Sequence, residues 1–173
     1  MAQATKPIPD GYHTLTPYLI VKGGVKAIEF YKQALGAVEL FRMPGPDGKS
    51  IGHAEIKIGD SIVMLSEENP AWGNKSPQTL GGVASSLMVY VKDVDTAFKR
   101  AVAAGATVIR PVADQFYGDR SGCISDPFGH QWTISTHTED LTPEELKVRG
   151  AEAMKKMCAQ ASSSKPQPQP QPA

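Results

Sequence analysis

The sequence contains one segment twice, and this repeat constrains the fold more than any other feature. Residues 18–40 (YLIVKGGVKAIEFYKQALGAVEL) match residues 87–109 (LMVYVKDVDTAFKRAVAAGATVI) in apolar pattern and in a closing Gly-Ala pair, with one glycine inserted in the first copy. In each copy an alternating apolar run predicts a strand, and the next dozen residues have helical spacing. A glycine ends the helix before another strand. The repeat therefore predicts two modules of the same structure.

Each copy is followed by a predicted hairpin. After the first copy, residues 51–58 and 61–66 are separated by Gly59-Asp60, a two-residue turn signal. After the second copy, residues 120–125 and 130–136 are joined by the four residues 126–129, with proline and glycine where turn geometry favours them. Each module is thus predicted to be β-α-β-β-β. We expect an α+β domain over residues 14–138, in which module 1 (14–66) and module 2 (83–138) flank a linker (67–82) and form one cup.

The two ends of the chain are predicted to lie outside these modules. Residues 1–13 form an N-terminal arm, and residues 139–161 contain a C-terminal helix. The helix is predicted because Thr142 supplies a capping hydroxyl, Pro143 the first helical position and Glu145 a carboxylate three residues after the cap. Residues 162–173 read SSSKPQPQPQPA, and the alternation of proline with glutamine in this segment favours an extended, disordered tail.

Composition excludes several classes of partner. Eighteen basic and eighteen acidic residues give a formal net charge of zero, so no long-range field favours nucleic acid or an anionic membrane. No run of eighteen apolar residues occurs, and the N-terminus lacks the apolar region of a signal peptide. Two cysteines are too few for a disulfide framework. A cytoplasmic protein is expected.

Strand parity selects the side chains that should line the cup, because the helix of each module covers only one face of its sheet. In module 1, a two-residue turn after Ile58 places Glu55 opposite Met64. His53 then lies on the same face as Glu55, since the two residues are two positions apart on one strand. On the first strand, Tyr18 is expected to point the same way.

The same reasoning applies to module 2. A four-residue turn would pair Ser125 with His130, which places Gly122 opposite Thr133 and brings Arg120 to the cup face. The predicted lining of the cup consists of Thr16, Tyr18, His53, Glu55, Met64, Ser86, Met88, Tyr90, Arg120 and Thr133.

The repeated module resembles a known superfamily. The motifs that carry the resemblance are Phe30-Tyr31, Leu35-Gly36 and the closing Asp126-Pro127-x-Gly129. The module is similar to the vicinal oxygen chelate superfamily of glyoxalases, extradiol dioxygenases and bleomycin- or fosfomycin-resistance proteins. Longer segments, among them PDGKSIGHAEIKIGDSIVMLSEE and DPFGHQW, resemble its PhnB-like branch, which carries a 3-demethylubiquinone methyltransferase-like label. No glycine-rich nucleotide loop for a methyl donor is visible. The resemblance implies a homodimer, as is common among similar proteins.

The resemblance also implies where a metal would bind. Metal-dependent members hold a divalent ion with His, Glu or Gln from the first and last strands of each module. The corresponding positions here are Thr16, Met64, Ser86 and Thr133. Hydroxyls and a thioether do not replace imidazole and carboxylate as ligands. No cofactor is therefore predicted at this position.

His53 and Glu55 are the candidate catalytic residues, because a carboxylate beside an imidazole forms an acid/base pair or binds a polar ligand group. They also fit a satisfied polar pair that fixes the hairpin, a dimer contact, or two ligands of a divalent metal completed by the other module. Arg120 fits either a clamp for an anionic group or an internal bridge to an acidic residue.

Two functions follow from these patterns. The first is a protein that binds a small molecule in the cup without the usual metal, using adaptable apolar contacts from Tyr18, Met64, Met88 and Tyr90. The second is a lyase, isomerase or dioxygenase-like enzyme that uses His53 and Glu55, with or without a divalent metal.

Overall fold

The computed structural model describes residues 6–163, with side chains up to residue 159. Module 1 contains β1 (Tyr18–Val21), α1 (Gly24–Leu35), β2 (Val38–Pro44), β3 (Ile51–Ile58) and β4 (Ser61–Glu67). The linker contains a 3₁₀ turn (Pro70–Trp72) and α2 (Pro77–Leu80). Module 2 contains β5 (Ser86–Tyr90), α3 (Val94–Ala103), β6 (Thr107–Asp114), β7 (Asp119–Ser125) and β8 (Gln131–His137). Helix α4 (Pro143–Ser163) follows, and the rest of the predicted tail lies outside the described residues.

Both modules form a four-stranded mixed sheet with the same topology. The strand orders are β1-β4-β3-β2 and β5-β8-β7-β6. The first strand of each module runs parallel to the last, and the other pairs are antiparallel. The predicted α+β fold of two β-α-β-β-β modules with a C-terminal helix is confirmed. Among residues 6–163, no helix is long and apolar enough to cross a membrane.

The two repeated helices begin differently. The side chain of Asp93 accepts a hydrogen bond from the Thr96 N–H at 3.1 Å and caps α3 locally. At α1 the Glu67 carboxylate, at the end of β4, accepts hydrogen bonds from the N–H groups of Gly23 and Gly24 at 2.6 and 2.8 Å. A Cβ on Gly24 would come within 2.8 Å of Ile51, so only glycine fits this close approach.

The helices cover one face of each sheet and pack against each other. Helix α1 buries a stripe with helical spacing, and α3 does the same with a shorter one. Together with the covered sheet faces they form a single core that spans both modules. Two further contacts join the modules: Arg100 Nε donates to the Ala34 carbonyl at 3.0 Å, and His130 Nε2 donates to the Ile20 carbonyl at 3.0 Å.

Asp126, in the β7–β8 turn, is the central polar contact of this core. Its side chain is buried and accepts hydrogen bonds from the Tyr31 hydroxyl at 2.7 Å and from Trp132 Nε1 at 3.0 Å. It also accepts from the backbone N–H groups of Phe128 and His130, each at 2.9 Å. Tyr31 belongs to α1, so this one carboxylate fixes the hairpin turn of module 2 and ties it to module 1.

The sequence-based register of the β7–β8 hairpin is wrong by one residue. Ser125 pairs with Gln131 instead of His130, because Asp126 and His130 themselves pair and leave a three-residue loop with Gly129 at φ 90°. A slip of one residue turns every side chain of a strand to the other face. In module 1 the predicted pair of Glu55 and Met64 is confirmed.

We predict that Asp126→Ala lowers the free energy of unfolding by about 3–5 kcal/mol, because it leaves four donors without their acceptor in the core. Chemical denaturation followed by circular dichroism measures this loss. The matched control is Asp10→Ala, which removes an exposed carboxylate paired with Lys6 and should change stability by less than about 0.5 kcal/mol. Equal losses in the two variants would contradict the assignment of Asp126 as the central contact.

Candidate functional site

The uncovered face of the first sheet carries a row of predicted site residues. Tyr18 pairs with Met64, Met64 with Glu55, and Glu55 with Phe41, so the four side chains cross the sheet from β1 to β2 on one face. Tyr18 and Phe41 are 48% and 51% exposed, which leaves two aromatic rings accessible to a ligand. His53, two residues before Glu55, lies between them.

His53 is held by a chain of hydrogen bonds. The Tyr18 hydroxyl is 3.0 Å from His53 Nδ1, and His53 Nε2 is 3.3 Å from a Glu55 carboxylate oxygen. The imidazole also contacts two aromatic rings, with centroid distances of 5.6 Å to Tyr18 and 6.3 Å to Phe41. The predicted pairing of His53 with Glu55 on one face is therefore present, and Tyr18 joins it.

The chemistry of this chain follows from its donors and acceptors. A carboxylate only accepts, so Nε2 carries the hydrogen directed at Glu55. In a neutral ring Nδ1 then accepts from the Tyr18 hydroxyl. In a charged ring Nδ1 donates to the phenol oxygen instead. The Tyr18–His53–Glu55 chain thus links an exposed phenol to a carboxylate through an imidazole, an arrangement that orients the ring as an acid/base group.

The N-terminal arm lies across the same face. Gly11 sits beside Ile62, which points to the same side of β4 as Met64. The Tyr12 side chain hydrogen-bonds Glu55, and this bond raises the pKa of Tyr12 to about 12. Glu55 is therefore contacted from both sides, by the arm and by His53.

The uncovered face of the second sheet carries different residues. Met88 pairs with Thr133 and Thr133 with Cys123, whereas a four-residue turn would have put Gly122 in this row. Tyr90 pairs with Ser135 in the next row, and its ring is 60% exposed. Met88, Tyr90 and Thr133 thus share a face, as their strand parity predicted.

A buried carboxylate organises the end of this second face. Asp119 is 3% exposed and accepts hydrogen bonds from the Tyr90 hydroxyl at 2.9 Å, from the Ser135 hydroxyl at 2.9 Å and from His137 Nδ1 at 2.8 Å. Burial opposes the ionisation of Asp119, but these three hydrogen bonds lower the pKa of its carboxyl below the usual value. His137 Nε2 contacts Asp140 at 3.0 Å. Its bonds to Asp119 and then to Asp140 raise the pKa of His137.

Arg120 is on the opposite face, and its predicted place in the cup is wrong. It pairs with Thr136, and its guanidinium forms two hydrogen bonds to Asp95 in the first turn of α3, at 2.8 and 2.9 Å. A further bond reaches Asp114 at 3.0 Å. The one-residue register shift is the reason. Arg120 therefore forms the internal bridge that was the alternative interpretation.

The residues at the superfamily's metal positions do not fit a divalent ion. Thr16 precedes β1, and its hydroxyl donates to the His13 carbonyl at 3.3 Å. Met64, Ser86 and Thr133 lie on the strands and supply a thioether and two hydroxyls. Within residues 6–163, no group of three or more His, Cys, Asp or Glu side chains is arranged to hold a metal. These donors do not bind Zn²⁺, Mn²⁺ or Fe²⁺ strongly.

The site residues fall into two groups, one on each sheet. Among residues 6–163 no hydrogen bond or ion pair joins the groups. Two clefts lie where the modules meet along their free edge strands, β1 and β5. One has a volume of about 430 Å³, between residues 87–90 and the β3–β4 turn, and the other about 210 Å³, between residues 17–19 and the start of β5 and β8. Both strands thus border ligand-sized space at the junction.

Sequence reasoning missed four residues of these faces. The correct register of β7 and β8 would have added Asp119 and His137 to the predicted lining, because both residues then share a face with Ser135. Phe41 lies on β2, where two register shifts interrupt the pairing with β3, so the turn between these strands does not indicate which residue Phe41 faces. Tyr12 lies in the arm, where no periodic pattern indicates which way a side chain points.

Comparison with known proteins agrees with this architecture. Residues 12–134 match the family model of the Glyoxalase/Bleomycin resistance protein/Dioxygenase superfamily. The chain belongs to this superfamily. It is 44% identical over 136 residues to Uncharacterized protein Mb0911c of Mycobacterium bovis, an alignment that covers 77% of this chain and 89% of that protein.

Solved structures of the superfamily's fold are also similar. TioX from Micromonospora sp. ML1 has a TM-score of 0.57 and 26% identity, over 75% of this chain and all of TioX (100%). The fosfomycin resistance protein FosX from Listeria monocytogenes has a TM-score of 0.55 and 18% identity, over 78% of this chain and 97% of FosX. The FosX likeness shows the shared fold alone.

We predict that the stability contributed by His137 falls as pH rises. Its folded-state pKa is raised above the ordinary value of 6.5, so the contribution is complete below that pH and is lost as pH rises through the folded-state pKa. The measurement is the difference in unfolding free energy between the wild-type protein and His137→Gln at several pH values from about 6 to 9.

The Asp140→Asn variant serves as the comparison. In this variant His137 keeps its bond to Asp119 but loses the one to Asp140, so the stability contributed by His137 should fall less as pH rises. A wild-type advantage over His137→Gln that stays constant or grows with pH would contradict the prediction.

Proposed function

We propose that this protein binds a small aromatic or amphipathic molecule on the uncovered faces of its two sheets, without the usual superfamily metal. The observation that carries the proposal is the row on module 1, in which the half-exposed rings of Tyr18 and Phe41 flank the hydrogen-bonded His53. Aromatic side chains supply large contact areas with few rotatable bonds, and their rings stack on planar ligands.

Polar groups in the same row would orient the ligand. The Tyr18 hydroxyl and the His53 ring provide donor and acceptor atoms beside the exposed rings. Met64 and Met88 add flexible, polarizable surface that adapts to ligand shape. A mostly apolar face with a few fixed polar groups is typical of small-molecule sites. Ser86, Tyr90 and Thr133 of module 2 are proposed to complete the lining.

The proposal predicts a ligand among aromatic and amphipathic compounds whose binding raises the melting temperature through mass action. Phe41→Ala should weaken the affinity of such a compound about three- to tenfold, because the variant removes one ring of the row. Thermal shift screening identifies the compound, and isothermal titration calorimetry measures its affinity for both proteins.

The matched control is Ile109→Ala, on the edge strand of the other module, where Ile109 is 49% exposed against 51% for Phe41. It should leave the affinity unchanged. Equal weakening by both substitutions, or none by Phe41→Ala, would place the ligand elsewhere and reject the proposed site.

A second candidate function is supported by the Tyr18–His53–Glu55 chain. An enzyme of the lyase, isomerase or dioxygenase-like type would use His53 as the acid/base group, oriented by Glu55, with Tyr18 next to the substrate. This function requires that the bound compound be converted to a product. The His53→Gln variant should still bind the compound but should no longer form the product. Stoichiometric metal in protein purified without chelator, absent in His53→Ala and Glu55→Ala, would favour the metal-dependent form of this enzyme over the binding protein.

Three broader expectations remain proposals. A homodimer would cover the exposed apolar side chains of Val38 and Leu40 on the edge strand β2 and leave the Phe41 ring open to the ligand. Light scattering coupled to size-exclusion chromatography measures the mass. The PhnB-like branch is proposed from the sequence segments that resemble it. The cytoplasmic location expected from the sequence stays a prediction of the same kind.

A further inference from the structure

His137, at the end of β8, binds two carboxylates that differ in how firmly they are held. Its Nδ1 lies 2.8 Å from Asp119 and its Nε2 lies 3.0 Å from Asp140. Carboxylates only accept hydrogen bonds, so both ring nitrogens carry hydrogen and the ring is an imidazolium in this arrangement. The raised pKa of His137 agrees with that charge state.

Asp119 is a fixed partner. It is buried, and the hydroxyls of Tyr90 and Ser135 occupy its second oxygen, so it orients the imidazolium and cannot turn away. Asp140 is a loose partner. Its side chain is fully exposed, with a relative accessibility of 103%, and among residues 6–163 its carboxylate makes no hydrogen bond or ion pair other than the one to His137.

A second cation lines the same surface concavity as this ring. Lys92 follows β5, and its side chain is exposed and has no ion pair or hydrogen bond within the described part of the chain. Lys92 and His137 line the same open concavity of about 530 Å³, together with Tyr90, Val91 and Thr136. An oxyanion there would meet an imidazolium N–H that is directed at an exposed carboxylate, and the ammonium group of Lys92 lines the same concavity.

We propose that this concavity is a second ligand site, in which a carboxylate or phosphate group of a small molecule binds between His137 and Lys92 and displaces Asp140. The site uses module 2 alone. The aromatic row that carries the proposed function lies on module 1, and this site shares none of its residues; the two proposals have in common only Tyr90 of module 2. The second site therefore stands or falls independently of the aromatic row.

Asp140 acts in this proposal as an intramolecular competitor. It presents to Nε2 the same oxygen chemistry that the ligand would present, and its short tether keeps it nearby. Because an exposed ion pair of this kind is weak, an anion at millimolar concentration can replace it. Removing the Asp140 charge takes one negative charge away from the concavity, which makes the local potential more favourable for an anion.

The test is an NMR titration of the full chain at about pH 6, where the ordinary histidine pKa already favours the charged ring. Inorganic phosphate and acetate are the two probes, and chloride at equal ionic strength is the reference. The His137 ring signals, assigned by comparison with His137→Gln, should shift and saturate with phosphate, acetate or both. The probe that binds more tightly, phosphate or acetate, identifies the class of oxyanion.

Variants of the residues around His137 test whether the anion displaces Asp140. Asp140→Asn should tighten binding of the preferred probe about two- to fivefold, the range expected for the loss of an exposed ion pair. Lys92→Gln should weaken it. The matched control Asp10→Asn removes another exposed carboxylate, also a member of an exposed ion pair, and should leave the affinity unchanged. No saturable shift at His137 with either probe, or an affinity that Asp140→Asn leaves unchanged, overturns the proposal.

Discussion

The buried carboxylate of Asp126 is the interaction on which the arrangement of this protein depends. It accepts two backbone and two side-chain hydrogen bonds, and one of the latter comes from Tyr31 in the other module. The same group therefore sets the length of the β7–β8 loop, the orientation of Trp132 and the contact between the repeats. Since the register of β7 and β8 follows from that loop, the set of side chains on the uncovered face of the second sheet is also determined at Asp126.

Most of the fold follows from the sequence, and the part that does not has a definite cause. The repeat predicts the topology because apolar spacing fixes which residues of each helix and strand are buried. Gly59-Asp60 predicts the β3–β4 register because a two-residue turn allows only one pairing. The Asp126–Gly129 segment is compatible with loops of three or four residues, and only the burial of Asp126 selects the shorter one. Because of this single ambiguity, Arg120 was predicted on the wrong face, and Asp119 and His137 were not predicted to line the surface.

The two modules share a backbone but carry different chemistry on their uncovered faces. Module 1 presents aromatic rings around His53, whose partners are a phenol and one carboxylate. Module 2 presents His137 between two carboxylates, with a phenol that donates to the buried one. The first arrangement accommodates a neutral or a charged ring, and the second requires a charged ring. A duplicated fold thus presents two surfaces that differ in the hydrogen-bond partners and the charged groups around their histidines.

The inserted glycine of the first repeat has a consequence for cooperativity. The second repeat has Asp93 before its helix, and that helix is capped by a residue three positions from the N–H it satisfies. The first repeat has Gly23 and Gly24 there, and the capping carboxylate comes from Glu67 at the end of β4, which is 44 and 43 residues away along the chain. The N-terminus of α1 is therefore complete only when β4 is in place, whereas α3 can form its first turn from local contacts. Opening the last strand of module 1 would uncap its helix, so strand and helix in that module gain and lose order together.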